Sequence, residues 1–237
     1  MTSRREFLEA VAIVLLSGKL AYDTFLKIEK NYQKKFIYNE LPKHTHMITE
    51  ESVLDAGDYI IDAKVKGVGI VLKDYFITCQ HNRNDGIVDM QTLFGPIPVK
   101  CDVTDRKFYV NDQEVKELYS NKLQDIAIFE NPGLDPFPFE PTIEHKLGEE
   151  VYIIGNPKHQ GTNIRKATIS DKDGIGNIPS TYFCFGIDQP LIPGDSGSPI
   201  VSLDKLHGIA TSVYQGALGY VKNIETYLHQ IDKLVKE

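Results

Sequence analysis

One seven-residue stretch, Pro193-Gly194-Asp195-Ser196-Gly197-Ser198-Pro199, lies between two apolar runs and constrains this chain more than any other segment. Without a Cβ, Gly194 and Gly197 permit a turn that brings the N–H groups of Gly194 and Ser196 towards one point beside the Ser196 hydroxyl. A serine hydroxyl is a poor nucleophile at its own pKa, so such a turn is chemically useful only with a neighbouring base and an acid that orients the base. Gly, Asp, Ser and Pro between two strands are also ordinary loop residues, so the stretch alone decides nothing. The rest of the chain offers both missing groups. His81 falls just beyond the strand-like Tyr75-Phe76-Ile77-Thr78, where a loop can present its imidazole, and Asp125 directly precedes the apolar run Ile126 to Phe129. Asp85, Asp89, Asp102, Asp105 and Asp112 lack that context and read as surface charge.

Composition narrows the class further. A chain of 237 residues can bury a substantial core without covalent staples, and 18 Gly and 12 Pro among many Val, Ile, Tyr and Phe favour short strands and turns. The net charge of −7 disfavours nucleic-acid binding through a basic surface. Cys79, Cys101 and Cys184 are odd in number and widely spaced, so they form no complete disulfide framework, and no C-x-x-C points to zinc. Asp171-Lys172-Asp173-Gly174 has the start of a calcium loop but not its later ligands, and His44 and His46 read as loop residues. No metal and no cofactor is expected.

The three candidate groups stand in the order His, Asp, Ser, and their surroundings carry a resemblance. Ile187 to Val201, with Gly67-Val68-Gly69-Ile70-Val71-Leu72, Tyr75 to His81, and Leu123-Gln124-Asp125-Ile126-Ala127-Ile128-Phe129, resembles the trypsin-like serine proteases, most of all their HtrA (Deg) branch. Gly148 to Pro157 is again similar to that branch. The resemblance implies a mainly β, chymotrypsin-like fold of two six-stranded antiparallel barrels, flanked here by an N-terminal and a C-terminal helix. It implies His81, Asp125 and Ser196 as the catalytic triad of a serine endopeptidase, and the Gly194 and Ser196 N–H groups as its oxyanion hole. Thr211, Ser212 and Val213 would be the strand edge that pairs with an extended peptide. Aligned on the serine, the base of the specificity pocket falls near Pro190 rather than on an acidic residue, and Val213 replaces a pocket glycine. Small aliphatic P1 side chains are expected. A glutamate-specific pocket using His207, an esterase, and an inert protease-fold binding protein are the competing readings. Asp195 departs from the Asn usual in the HtrA branch, and with no Ile-Val-Gly-Gly-like start it needs a lysine, an arginine, a backbone donor or water as partner. Where secreted relatives place a cysteine after the histidine, this chain has Asn82.

Residues 1–30 are expected to form a helix outside the protease domain, 31–47 a linker, and 48–237 the protease domain. Barrel one is assigned to about 48–135, barrel two to about 145–221, and a closing helix to 223–236, whose apolar positions follow helical spacing. With nothing after that helix, no PDZ domain is expected. Ser3-Arg4-Arg5 and the apolar run Ala10 to Leu16 resemble a twin-arginine export signal, while the run is short for a bilayer span and no A-x-A site follows. Export or membrane association and an amphipathic helix packed on the domain both stay open.

Overall fold

In the computed structural model the described residues are 18–92, 95–156, 161–171, 184–214 and 218–225. An α-helix, α1 (Gly18–Asn39), and a 3-10 turn (Leu41–His44) lead into the strands. The first sheet contains β1 (Thr45–Asp55), β2 (Ile60–Leu72), β3 (Tyr75–Thr78), β6 (Asp102–Val110), β7 (Gln113–Val115), β8 (Glu117–Asn121) and β9 (Ile126–Glu130). Between them, β4 (Ile87–Thr92) and β5 (Gly95–Lys100) form a separate antiparallel hairpin. The second half contains β10 (Glu150–Gly155), β11 (Asn163–Asp171), β12 (Cys184–Ile187), β13 (Pro199–Val201), β14 (Leu206–Tyr214) and β15 (Leu218–Lys222).

The two halves close differently. Among the described residues, the second is a closed barrel in the order β10-β11-β12-β15-β14-β13, whereas the first is an open seven-stranded sheet in the order β7-β6-β1-β2-β3-β9-β8. The expected pair of matching six-stranded barrels is therefore one barrel and one half-barrel. The long β1–β2 pairing, from Thr45 opposite Ile70 to Asp55 opposite Ile60, explains part of the difference. At the Ile60 end β2 alternates between exposed and half-buried residues, and it becomes continuously buried only from Gly67. Its outer half is thus a ribbon extending past the core, and only its inner half can curl around one.

Burial follows the same division. Val151, Ile153, Phe185, Ile187 and Val221 fill the closed barrel, and Ile48, Phe76, Phe108 and Phe129 fill the half-barrel. A third cluster joins the halves, with Ile70, Ile77 and Ile128 meeting Tyr152, Ile154, Val201 and Ile209. Cys79 and Ile126, chain neighbours of the candidate site residues, belong to this seam.

The N-terminal region corrects the sequence-based organisation. Residues 31–47 are not a linker: α1 continues to Asn39, the 3-10 turn takes Pro42 in its first positions, and β1 begins at Thr45. Lys35 and Asn39 sit exposed on a helix whose other face delivers Ile37, fully buried together with Leu41 in the seam cluster. A polar stretch was thus the outer face of an amphipathic helix. His46 lies in β1 rather than a loop, buried, with Nδ1 3.0 Å from Asn111 Nδ2, and burial lowers its pKa. Among the described residues, no helix is long and apolar enough to cross a membrane. The run Ala10 to Leu16, the 171–174 loop beyond Asp171, and most of the expected C-terminal helix lie outside the described residues.

Candidate active site

Each candidate group is delivered by the end of a strand. β3 runs out at Thr78 into a 3-10 turn, Gln80–Asn82, which leaves the His81 side chain 43% exposed. Asp125 immediately precedes β9 in the left-handed region, φ +51°, a conformation that Asp tolerates better than most residues. Ser196 lies between Gly194 at φ +97° and Gly197 at φ +86°, in the tight connection into β13. His81 sits between the other two. Its Nδ1 is 2.8 Å from Asp125 Oδ2 and 2.9 Å from Oδ1, and its Nε2 is 2.6 Å from Ser196 Oγ.

The carboxylate is held from three sides. The His81 backbone N–H donates to Asp125 Oδ1 at 3.0 Å, and the Thr211 hydroxyl donates to Oδ2. Burial by itself would push the Asp125 carboxyl up. The hydrogen bonds and charge of His81, with the Thr211 hydroxyl, outweigh it and hold the pKa below the ordinary aspartate value. Thr211 was expected only as peptide-pairing edge, and its contact with Asp125 was not foreseen. Ser212 and Val213 continue β14 with backbone partners Tyr220 and Gly219, and their side chains lie outside the described residues.

Asn82 also has a place that the sequence did not disclose. Its Nδ2 donates to the Ser196 carbonyl at 3.0 Å and to Thr78 Oγ1 at 2.9 Å, while Val68 N–H reaches the same carbonyl at 3.1 Å. The half-barrel thereby grips the backbone of the residue whose hydroxyl faces His81. Past His81 the loop is anchored as well: Asn84 N–H donates to the fully buried Glu50 at 2.7 Å, and Arg106 Nε lies 2.9 Å from the same carboxylate.

Gly197 has no room for a side chain. A Cβ there would lie 1.8 Å from the Val68 carbonyl oxygen and 2.5 Å from Thr78 Oγ1. Positive φ and this overlap add, so Gly197→Ala is expected to cost on the order of 3 kcal/mol and to separate Ser196 from Asn82. Urea unfolding checks this, and an unchanged midpoint contradicts the close approach.

The backbone donors of the turn divide into two sets. Asp195 N–H and Ser198 N–H close turns onto Ile192 and Asp195 carbonyls, whereas the Gly194 and Ser196 N–H groups have no intramolecular acceptor among the described residues. Asp195 is fully buried, with its Oδ2 accepting from Ile192 N–H at 2.7 Å and from Arg165 Nη2. Burial pushes its carboxyl above the ordinary value, while Ile192 N–H and Arg165 draw it back down.

Around the expected specificity pocket, Pro190 is half-buried and its carbonyl accepts from Arg165 Nη1 at 3.0 Å. The next residue, Leu191, is buried in the barrel cluster, and Gly219 of β15 sits so close that a Cβ would lie 2.9 Å from Leu191 Cγ. Asp188 turns away and accepts the Thr168 N–H at 2.7 Å. His207 is fully buried, its Nδ1 3.1 Å from that of His145 and its ring against Phe185, so it lines no open pocket. Burial lowers its pKa.

Cys79, His81 and Asp125 bring possible metal-ligand atoms within 4.8 Å of one another, the only such group among the described residues. Cys79 is fully buried and donates to the Ala210 carbonyl at 3.0 Å, and burial pushes its thiol far above the ordinary value. That opposes the thiolate that a metal requires.

Comparison with known proteins bears on the fold and the family. No curated protein matches the chain. Among solved structures, an HtrA-type protease, AlgW, with a bound decapeptide is similar at a TM-score of 0.63 and 14% identity, over 86% of this chain and 67% of that one. The inactive serine-to-alanine form of Rv3671c from Mycobacterium tuberculosis is similar at 0.56 and 19% identity, over 84% and 92%. A serine endoprotease from Yersinia pestis is similar at 0.56 and 19%, over 86% and 67%. These likenesses carry the fold. The family model described as a trypsin-like peptidase domain matches residues 67–208, more than half of the chain, from within β2 to the start of β14. The chain belongs to the trypsin-like peptidase family and is a serine protease, with the fold of the HtrA-type enzymes.

Proposed function

We propose that this serine protease is an endopeptidase in which His81, Asp125 and Ser196 act as the catalytic triad. One observation carries the reading: a single imidazole lies 2.8 Å from a buried carboxylate on one side and 2.6 Å from a serine hydroxyl on the other. Neutral His81 presents its Nε2 lone pair to Ser196 and takes the hydroxyl proton as Oγ attacks the peptide carbonyl. Asp125 fixes the tautomer with the proton on Nδ1 and stabilises the imidazolium that forms. The oxyanion is received by the Gly194 and Ser196 N–H groups, which are free to bind it. His81 then gives its proton to the leaving amine, the acyl-enzyme remains on Ser196, and water repeats the sequence to release it.

An extended substrate would pair with the backbone of β14 at Ser212 and Val213, as strand addition to a sheet edge. Its P1 side chain would meet a shallow apolar surface of Leu191 and Gly219, with no acidic or basic side chain turned in from 188–191. Small aliphatic P1 residues are therefore preferred. Buried His207 argues against glutamate selectivity.

Incubating the protein with a peptide library and sequencing the cleavage sites tests both parts. Internal cleavage after Ala, Val, Ile or Leu is expected. Dominant Lys, Arg or Glu at P1 overturns the pocket assignment, and failure to cleave any peptide overturns the endopeptidase reading.

A further inference from the structure

His81 and Asp125 belong to the half-barrel and Ser196 to the closed barrel, so the 2.6 Å contact between base and nucleophile depends on how the two halves are held together at residue 196. Asn82 follows His81 in the 3-10 turn, and its own N–H donates to the Cys79 carbonyl at 3.2 Å, which fixes where its side chain starts. The carboxamide is buried and crosses to the other half, donating from Nδ2 to the Ser196 carbonyl at 3.0 Å and to Thr78 Oγ1 at 2.9 Å. Thr78 spends its own hydroxyl proton on the Val68 carbonyl, so its oxygen is left as an acceptor and the NH₂ end of Asn82 must face it. With the Val68 N–H at 3.1 Å, the Ser196 carbonyl has two donors for its two lone pairs, both from the half-barrel. The start of the inner half of β2 makes room for this arrangement. A Cβ on Gly67 would lie 2.2 Å from both Cγ and Nδ2 of Asn82. Gly67 pairs with Ile48 in the sheet and is not among the residues with positive φ, so a side chain there would meet Asn82 rather than backbone strain.

We infer that Asn82 is a positioning residue for the reaction: by holding the Ser196 carbonyl from the residue next to His81, it keeps the Ser196 hydroxyl aligned on the imidazole, and residue 67 is glycine to admit it. The inference rests on the peptidase reading above. Asn82 moves no proton and acts only through the backbone of residue 196. Losing it leaves that carbonyl with the Val68 N–H alone, and the peptide between Ser196 and Gly197 is then free to turn and carry Oγ off the Nε2 lone pair.

Steady-state hydrolysis of a peptide substrate and urea unfolding, measured on Asn82→Ala, Gly67→Ala and the double variant, test this. Asn82→Ala removes the donor, and Gly67→Ala pushes the carboxamide away while leaving Asn82 in the chain. Each is expected to lower kcat by about 100-fold, with KM within about twofold of wild type, because an ångström of misplacement at the nucleophile is felt in the chemical step. The double variant separates alignment from packing. Its added methyl group enters the space that the carboxamide vacated, so its unfolding midpoint is expected to rise above that of Asn82→Ala, while kcat stays about 100-fold down instead of falling by the about 10⁴-fold that independent losses would give. Where Asn82→Ala fails to fold, the double variant carries the test. Wild-type kcat in a folded Asn82→Ala or double variant, a loss carried by KM alone, kcat recovering together with the midpoint, or losses that multiply each overturn the inference and leave the peptidase reading intact. A wild-type protein with no Ser196-dependent hydrolysis overturns the peptidase reading and the inference with it.

Discussion

Ser196→Ala is expected to lower kcat by about 10⁶-fold, the largest effect of any single change in this protein. In the proposed mechanism Ser196 Oγ is the atom that becomes acylated, and no other hydroxyl lies within hydrogen-bonding distance of His81 Nε2 among the described residues. The fold should survive the change. What holds residue 196 in place is its backbone carbonyl, gripped by Val68 N–H and Asn82 Nδ2, and alanine keeps that carbonyl. Hydrolysis of a peptide substrate and thermal unfolding, measured on the same preparation, separate the two effects. A folded Ser196→Ala protein that retains more than a small fraction of activity contradicts the assignment of the nucleophile.

Asp125→Asn is expected to lower kcat by about 10⁴-fold. Three donors meet on the two oxygens of Asp125: His81 N–H, His81 Nδ1–H and the Thr211 hydroxyl. An amide has one oxygen, so it cannot receive all three. If its NH₂ faces the imidazole, the proton is driven to Nε2 and the base can no longer accept from Ser196. If the amide turns the other way, the tautomer is kept but the negative charge opposite the imidazolium is lost. The same variant has a stability signature. Folded Asp125 is held below its ordinary value of 3.8, so its contribution to stability is fully present above that pH and is lost as pH falls through the lower folded value. The amide of the variant does not titrate, so its acid unfolding should lack that component. An Asp125→Asn protein with wild-type kcat contradicts the orienting role.

The sequence disclosed the parts of this site that depend on local pattern. A glycine-flanked serine, a histidine just past a short apolar strand, and an aspartate just before another strand are features of a few neighbouring residues, and the structure brings those three side chains together. What stayed hidden depends on contacts between distant segments. Thr211 reaches back 86 positions to Asp125, and Asn82 reaches forward 114 to Ser196. Threonine and asparagine occur in so many settings that nothing in their own neighbourhood marks them. Arg165 is a similar case. Asp195 announced the need for a partner, but only the register of β11 in the closed barrel shows which cation meets it.

The fold divides along the same line. The strands at Tyr75–Thr78 and Ile126–Glu130 followed from short β-branched and aromatic runs beside turn residues. β7 and β8 carry no such signal, because Gln113–Val115 and Glu117–Asn121 are short and polar, held by pairing at the sheet ends rather than by apolar alternation. The continuation of the N-terminal helix to Asn39 was missed because polar residues outnumber apolar anchors there. Among the described side chains of α1, Ile37 alone is fully buried in the seam, and one apolar position does not make a period.

Reaction with a fluorophosphonate probe, followed by mass spectrometry of the digested protein, tests the central claim most directly. The account predicts one adduct, on the peptide containing Ser196, absent from Ser196→Ala and strongly slowed in Asp125→Asn. A protein that cleaves peptides while Ser196 stays unmodified, or that carries the adduct on another residue, would contradict it.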